Sequence, residues 1–146
     1  MWKIDTEILG VRHFAERIRP IDQKMNTLRA VLKWILGLLF VVAGVNHFLM
    51  PQTYVAIMPP YLPGPVTLVY LSGAAEVLLG AMLLIPRFQT FAAWGLIALL
   101  IAIFPANLHM ALNPGEFPDI PPAALWIRLP LQAVLVAWAY WFTRKP

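Results

Sequence analysis

The sequence predicts an all-α membrane protein: a four-helix transmembrane bundle preceded by a basic, amphipathic N-terminal segment. Three observations carry that reading. Only 12% of the residues are charged and 60% are hydrophobic, with a mean hydropathy of +0.71, where a soluble domain carries roughly 25% charged residues. Four runs approach the roughly 20 apolar residues that a spanning helix needs; they cover about 28–49, 65–85, 88–112 and 123–142. Lys and Arg keep to alternate ends of these runs, as the positive-inside rule requires. The 146 residues suit one domain, divided here into a cytoplasmic segment, 1–26, and a transmembrane domain, 27–146.

In the N-terminal segment, Ile4, Ile8, Val11, Ile18 and Ile21 recur near helical spacing. Arg12, Glu16, Arg17 and Arg19 fall mostly elsewhere on the wheel. A cytoplasmic amphipathic helix on the membrane surface and a solvated basic tail both fit this pattern. Pro20 is expected to end or kink such a helix. A cleaved signal peptide is not expected, because the charged region is long and no small-residue cleavage site follows.

The first run ends in "GVNHF", with Asn46 and His47 at its outer end. The uncharged, proline-broken stretch "MPQTYVAIMPPYLPGP" follows. It is too broken to be helical throughout and too apolar for a free loop, so it is placed across the bundle mouth. The second run holds Glu76, with Ser72, Gly73 and Gly80 at i−4, i−3 and i+4 on the same face. Small residues mark where membrane helices approach closely, so Glu76 is expected to face the interior, about 16 Å deep by helical rise. "IPRF" is a tight turn bearing Arg87. The third run is interrupted by Pro105 and ends in "FPANLHM". Asn107 and His109, two apart, lie about 200° apart around an ideal helix, and Asn107 is taken as the interior one. The loop "NPGEFPDIPP" carries Glu116 and Asp119, expected to be solvated. The fourth run is interrupted by Pro130 and places Arg128 and Gln132, i and i+4, on one face. Trp34, Trp94, Trp126, Trp138 and Trp141 lie toward run ends, as an interfacial belt would.

Lys3, Arg12, Arg17, Arg19, Lys24, Arg29 and Lys33 precede or open the first run, Arg87 sits in the second connection, and Arg144 and Lys145 follow the last run. The first and third connections carry neither Lys nor Arg. Both termini are therefore expected in the cytoplasm, in a multi-pass protein of a bacterial inner membrane. All four helices then bring their polar groups to the outer leaflet.

Several function classes are excluded. There is no cysteine, which removes disulfides, thiolate catalysis, Cys-ligated zinc and iron–sulfur clusters. The net charge of +4 is read as topology and not as nucleic-acid binding. No phosphate loop, HExxH or nucleophile elbow is present, so no catalytic set and no metal site are assigned. The candidate ligand-binding residues are Glu76, Asn107, Gln132, His47, Arg128, Tyr54 and His109. Buried charges are normally paired, so a Glu76–Arg128 ion pair is expected, or a link through Gln132 or water. His47 and His109 raise the question of a haem, but both lie near one mouth and His109 is expected to face away.

"AGVNHFLMPQTYVAIMPPYLP", "LSGAAEVLLGAMLLIPRFQTFAAWGLIALLIAIFPANLHM" and "RLPLQ" resemble, in motif order, the DoxX-like family of small four-helix membrane proteins. The resemblance runs from Ala43 to Gln132 and leaves the segment to about Met25 outside it. By motif it carries over His47, Pro51 and Tyr54; Ser72, Gly73 and Glu76; Pro105, Asn107 and His109; and Pro130 and Gln132. It implies a four-helix transmembrane fold. Named members of that family are linked to a thiosulfate:quinone oxidoreductase, for which the family supplies a membrane subunit. Similar proteins include an animal chaperone for nicotinic receptor assembly.

Two functions from different classes follow. In one, an outer-leaflet pocket around Glu76 binds a quinone or lipid head group, and the protein is an accessory, non-catalytic membrane subunit of a quinone-linked redox system. In the other, it is a membrane chaperone or scaffold whose polar cluster is structural. A pocket with Glu76 at its floor separates the two: the first requires it, and a dry, packed bundle would remove it.

Overall fold

The computed structural model describes the backbone of residues 3–144 and the side chains of residues 23–144. The elements are α1 (Lys3–Leu49), α2 (Pro51–Ala56), α3 (Pro65–Leu84), α4 (Gln89–Leu112), a single 3₁₀ turn (Pro114–Glu116) and α5 (Pro122–Trp141). Among the described residues the secondary structure is all helical. The chain divides into two compact units, Met1–Trp34 and Ile35–Pro146. The amphipathic face expected of the N-terminal segment rests on side chains up to residue 22, which lie outside the described ones. Its backbone is helical, and α1 does not end at Pro20.

Four helical stretches are long and apolar enough to cross a bilayer: Gln23–Leu49, Pro65–Leu84, Gln89–Leu112 and Pro122–Trp141. Twenty helical residues rise about 30 Å, the thickness of the hydrocarbon core. The protein is therefore a multi-pass membrane protein. The predicted runs match the last three helices to within a residue at each end. The first span begins earlier than 28, because nothing between Gln23 and Thr27 interrupts a helix.

Prolines and one glycine set the boundaries. Pro51, Pro65 and Pro122 open α2, α3 and α5 within the first turn, where a missing N–H costs nothing. Gly64, before α3, has φ 64°, a left-handed conformation that suits glycine. Ile85 leaves the helical region (φ −87°, ψ 117°) and ends α3, because the ring of Pro86 disfavours helical geometry in the residue before it. Pro105 and Pro130 lie inside α4 and α5.

Within Ile35–Pro146 the core is apolar and close-packed. Leu36, Phe40, Leu83, Leu96, Leu100, Leu125 and Phe142 are buried. Alanines at 92, 93 and 139 are fully buried where helices meet. The opposite faces present Val42, Leu71, Leu78, Phe91, Ile101 and Ile127, each more than 60% exposed. Large side chains of this kind facing outward are what lipid tails solvate and water does not. Trp34, Trp94 and Trp126 are about half exposed.

Helices α1 and α3 meet along glycines. A Cβ on Gly44 would lie 2.5 Å from the Gly73 carbonyl oxygen, and one on Gly80 would lie 2.7 Å from that of Gly37. Gly37 and Gly44, like Gly73 and Gly80, are seven apart, so each pair marks one stripe of its helix. The small-residue face expected on α3 therefore meets a matching face on α1. This close approach sets the depth at which the polar groups of both helices lie.

Candidate functional site

The site sits where the C-terminal ends of α1 and α4 meet the middle of α3 and the N-terminal half of α5, roofed by α2. Among the described residues the buried polar side chains are His47, Glu76 and Gln132, at 8%, 5% and 6% exposure. Glu76 comes from the twelfth position of α3. It lies beside Gly73, whose missing side chain admits His47: a Cβ there would meet the His47 Cβ at 2.6 Å. The glycine stripe thus brings α1 close enough to seat His47 against the carboxyl group.

The two groups lie side by side, with His47 Nδ1 3.5 Å from Glu76 Oε2, an ion pair only when the imidazole is protonated. Nδ1 is also 2.9 Å from the Ala43 carbonyl oxygen, one turn back. A carbonyl only accepts, so Nδ1 carries the hydrogen and gives it to Ala43. Glu76 Oε2 is consequently buried without a hydrogen-bond donor. The short helix α2 closes the arrangement from above. The Tyr54 ring stacks on the His47 imidazole at 3.7 Å, and its hydroxyl accepts a hydrogen bond from Asn46 Nδ2 at 2.9 Å.

A cavity of about 210 Å³ lies against these groups. Its polar lining is His47, Tyr54, Ser72, Glu76, Asn107 and Arg128, contributed by all five helices. Ile57, Met58, Val69 and Ile103 supply apolar wall. Ser72 is satisfied within its own helix by the Val69 carbonyl at 3.0 Å. Five of the seven predicted ligand-binding residues therefore share one chamber.

Arg128 does not pair with Glu76. Its Nη1 points instead to the Met110 thioether, 3.4 Å away, and the carboxyl group lies beside His47. The reason is depth: Arg128 is the seventh residue of α5 and Glu76 the twelfth of α3, roughly 7 Å apart along the bundle by helical rise. The guanidinium extends toward the loop end and leaves the carboxyl group to α1.

Gln132 and His109 stand apart from the chamber. Gln132 accepts from Asn107 Nδ2 at 3.0 Å and donates through Nε2 to the Leu100 carbonyl. That carbonyl immediately precedes the one that Pro105 leaves without its helical donor. Gln132 thus ties α5 to the proline-disturbed turn of α4 and holds Asn107 at the cavity wall. His109 faces the loop. Its Nε2 lies 3.3 Å from Glu116 Oε2, and its Nδ1 accepts from Asn113 Nδ2 at 3.0 Å. Both ring nitrogens are engaged, so His109 has none to give to a haem iron. Glu116, expected only to be solvated, is its partner. Tyr61 and Phe117 meet the His109 ring edge-on.

Three participants were missed in the sequence: Asn46, which anchors Tyr54; Met110, which receives Arg128; and Glu116. For Asn46 a signal existed, since Tyr54 follows eight residues later across a break that turns the chain back. Among the described residues, no group of three or more His, Cys, Asp or Glu side chains comes together as a metal site would require.

Comparison with curated proteins and with solved structures returns no match. One family model matches, over residues 36–143, under the description "Domain of unknown function (DUF8561)". The matched stretch contains every residue that lines the chamber.

Proposed function

The chain belongs to the DUF8561 family, and we propose that this multi-pass membrane protein binds the polar head group of an apolar membrane ligand, a quinone or a lipid. The observation that supports this most directly is Glu76: it lines a cavity of about 210 Å³, and its Oε2 is buried without a donor. An empty apolar pocket of about 150 Å³ accepts benzene, whereas complete small-molecule sites run from about 300 Å³ upward. The cavity thus suits one ring or one compact head group, with the tail left among the helices or in the bilayer. His47, Tyr54, Asn107 and Arg128 surround that space with donors and stacking surface. Gln132 and His109 support its walls.

In this reading the protein has no chemistry of its own and serves as an accessory membrane subunit of a quinone-linked redox system, as the DoxX-like motifs suggest. The cavity faces the outer leaflet of a bacterial inner membrane, with both termini in the cytoplasm. A second reading, a chaperone or scaffold, draws on the Gln132–Leu100–Asn107 tie and the glycine stripe, which make the polar cluster a fastening between helices.

Purification in mild detergent, followed by mass spectrometry of co-purifying small molecules, tests the proposal. The expected result is a recurrent quinone or lipid in the native protein that is lost in Glu76→Ala. No recurrent ligand, together with a stable protein partner, would overturn it in favour of the scaffold.

A further inference from the structure

The cavity holds two groups of opposite character that do not satisfy each other. Glu76 Oε2 lacks a donor. The Arg128 guanidinium, among the described residues, spends one of its five N–H groups on the Met110 thioether, and a thioether is a weak acceptor. The guanidinium of Arg128 brings a positive charge to the chamber. Both residues line the same space, separated along the bundle by the roughly 7 Å of helical rise given above. Among the described residues, no hydrogen bond from a neighbouring polar group reaches Glu76 Oε2. His47 Nδ1 is committed to Ala43, Ser72 to Val69, and Asn107 Nδ2 to Gln132. An occupant that satisfies the chamber must therefore offer a donor at its deep end and an acceptor at its shallow end.

We infer that the head group is bipolar: an N–H or O–H group donates to Glu76, and a phosphate or hydroxyl oxygen of the same head accepts from Arg128. This rests on the head-group reading above and adds a polarity to it. A primary-amine phospholipid and a reduced, hydroxyl-bearing quinone both have this chemistry. A choline phospholipid lacks the donor, as does an oxidised quinone. A purely apolar ring lacks both ends.

Two matched pairs of probes distinguish these sources on the full-length protein in detergent, with binding followed by native mass spectrometry and thermal shift. One pair is phosphatidylethanolamine and phosphatidylcholine with identical chains. The other is a decyl-benzoquinol and its benzoquinone, the former kept reduced. In whichever pair binds, the member with the N–H or O–H donor is expected to bind about tenfold more tightly, the scale of one charge-assisted hydrogen bond. Glu76→Gln, nearly identical in shape, should bring the ratio toward one. Arg128→Gln should weaken both members of the pair equally and keep the ratio. Equal binding of the two members to the native protein would overturn the bipolar head while leaving the head-group reading intact. So would a ratio that follows Arg128 and not Glu76. Binding of none of the four probes would overturn the head-group reading itself. Circular dichroism and a single size-exclusion peak establish that each variant is folded.

Discussion

At the scale of single residues, the site is a set of commitments. His47 gives its Nδ1 hydrogen to Ala43 and presents its ring to Tyr54. Tyr54 in turn is held by Asn46. The hydroxyl and the ring of Tyr54 can be separated by substitution. Tyr54→Phe removes the Asn46 bond and keeps the stack, so it should cost about 1 kcal/mol. Tyr54→Ala removes both and should cost a further 0.5–1.5 kcal/mol or so from lost stacking, in addition to lost burial. Reversible unfolding in mixed micelles reads both. Equal losses for the two variants would show that the ring contact contributes nothing. These commitments were only partly legible. The spacing of Glu76, Ser72 and Gly73 showed which way the carboxyl group faces, but spacing along one helix says nothing about which neighbour reaches it. His47 and Arg128 were both eligible partners. The choice fell to His47 because Gly73 has no side chain to hold α1 away.

At the scale of elements, the α1–α3 crossing is the fastening on which the site depends. Gly73→Ala would place a methyl group 2.6 Å from the His47 Cβ and 2.9 Å from the Gly44 carbonyl oxygen. The helices must then separate, at a cost of about 1–3 kcal/mol for overpacking. Glu76 should lose His47 as the gap opens. Val42→Ala, on a face that is 68% exposed, should change stability by less than about 0.5 kcal/mol. Thermal unfolding of the two variants in the same detergent makes the comparison; a Gly73→Ala protein as stable as Val42→Ala would contradict the close crossing. The starts of α3 and α5 and the end of α3 were legible because their limits are covalent: prolines at the first turn, and Pro86 acting on Ile85. The crossing was half legible. The stripe on α3 was read, whereas its complement, Gly37 and Gly44, needed the antiparallel pairing of the two helices before its seven-residue spacing meant anything. The connection from Met50 to Pro65 was expected to lie over the mouth without being helical throughout. Its helical part is the six residues of α2, and these suffice to bring Tyr54 over His47.

At the scale of the whole molecule, four spans return the chain to the side on which it began. The outward faces carry large apolar side chains where a soluble protein would carry charged ones, and an apolar core encloses the polar trio. The natural chain has no cysteine, so a single introduced thiol reports its own side of the membrane. Nothing lies within 4 Å of a Cβ built on Gly115, which makes Gly115→Cys a harmless reporter for the α4–α5 loop. Arg87→Cys reports the α3–α4 turn. On intact cells an impermeant maleimide should label Gly115→Cys and should label Arg87→Cys only after permeabilisation. The opposite pattern would invert the orientation read from the Lys and Arg placement. The glycine crossing also has a consequence for the history of the family. Positions 44 and 73 each occupy space the other helix needs, so neither can drift alone, whereas Val42, Leu71 and Phe91 are more than 60% exposed and are free to exchange among apolar residues. Descent should therefore have kept 44 and 73 small or changed them together, and a lineage that enlarged one of them would have surrendered the contact between His47 and Glu76.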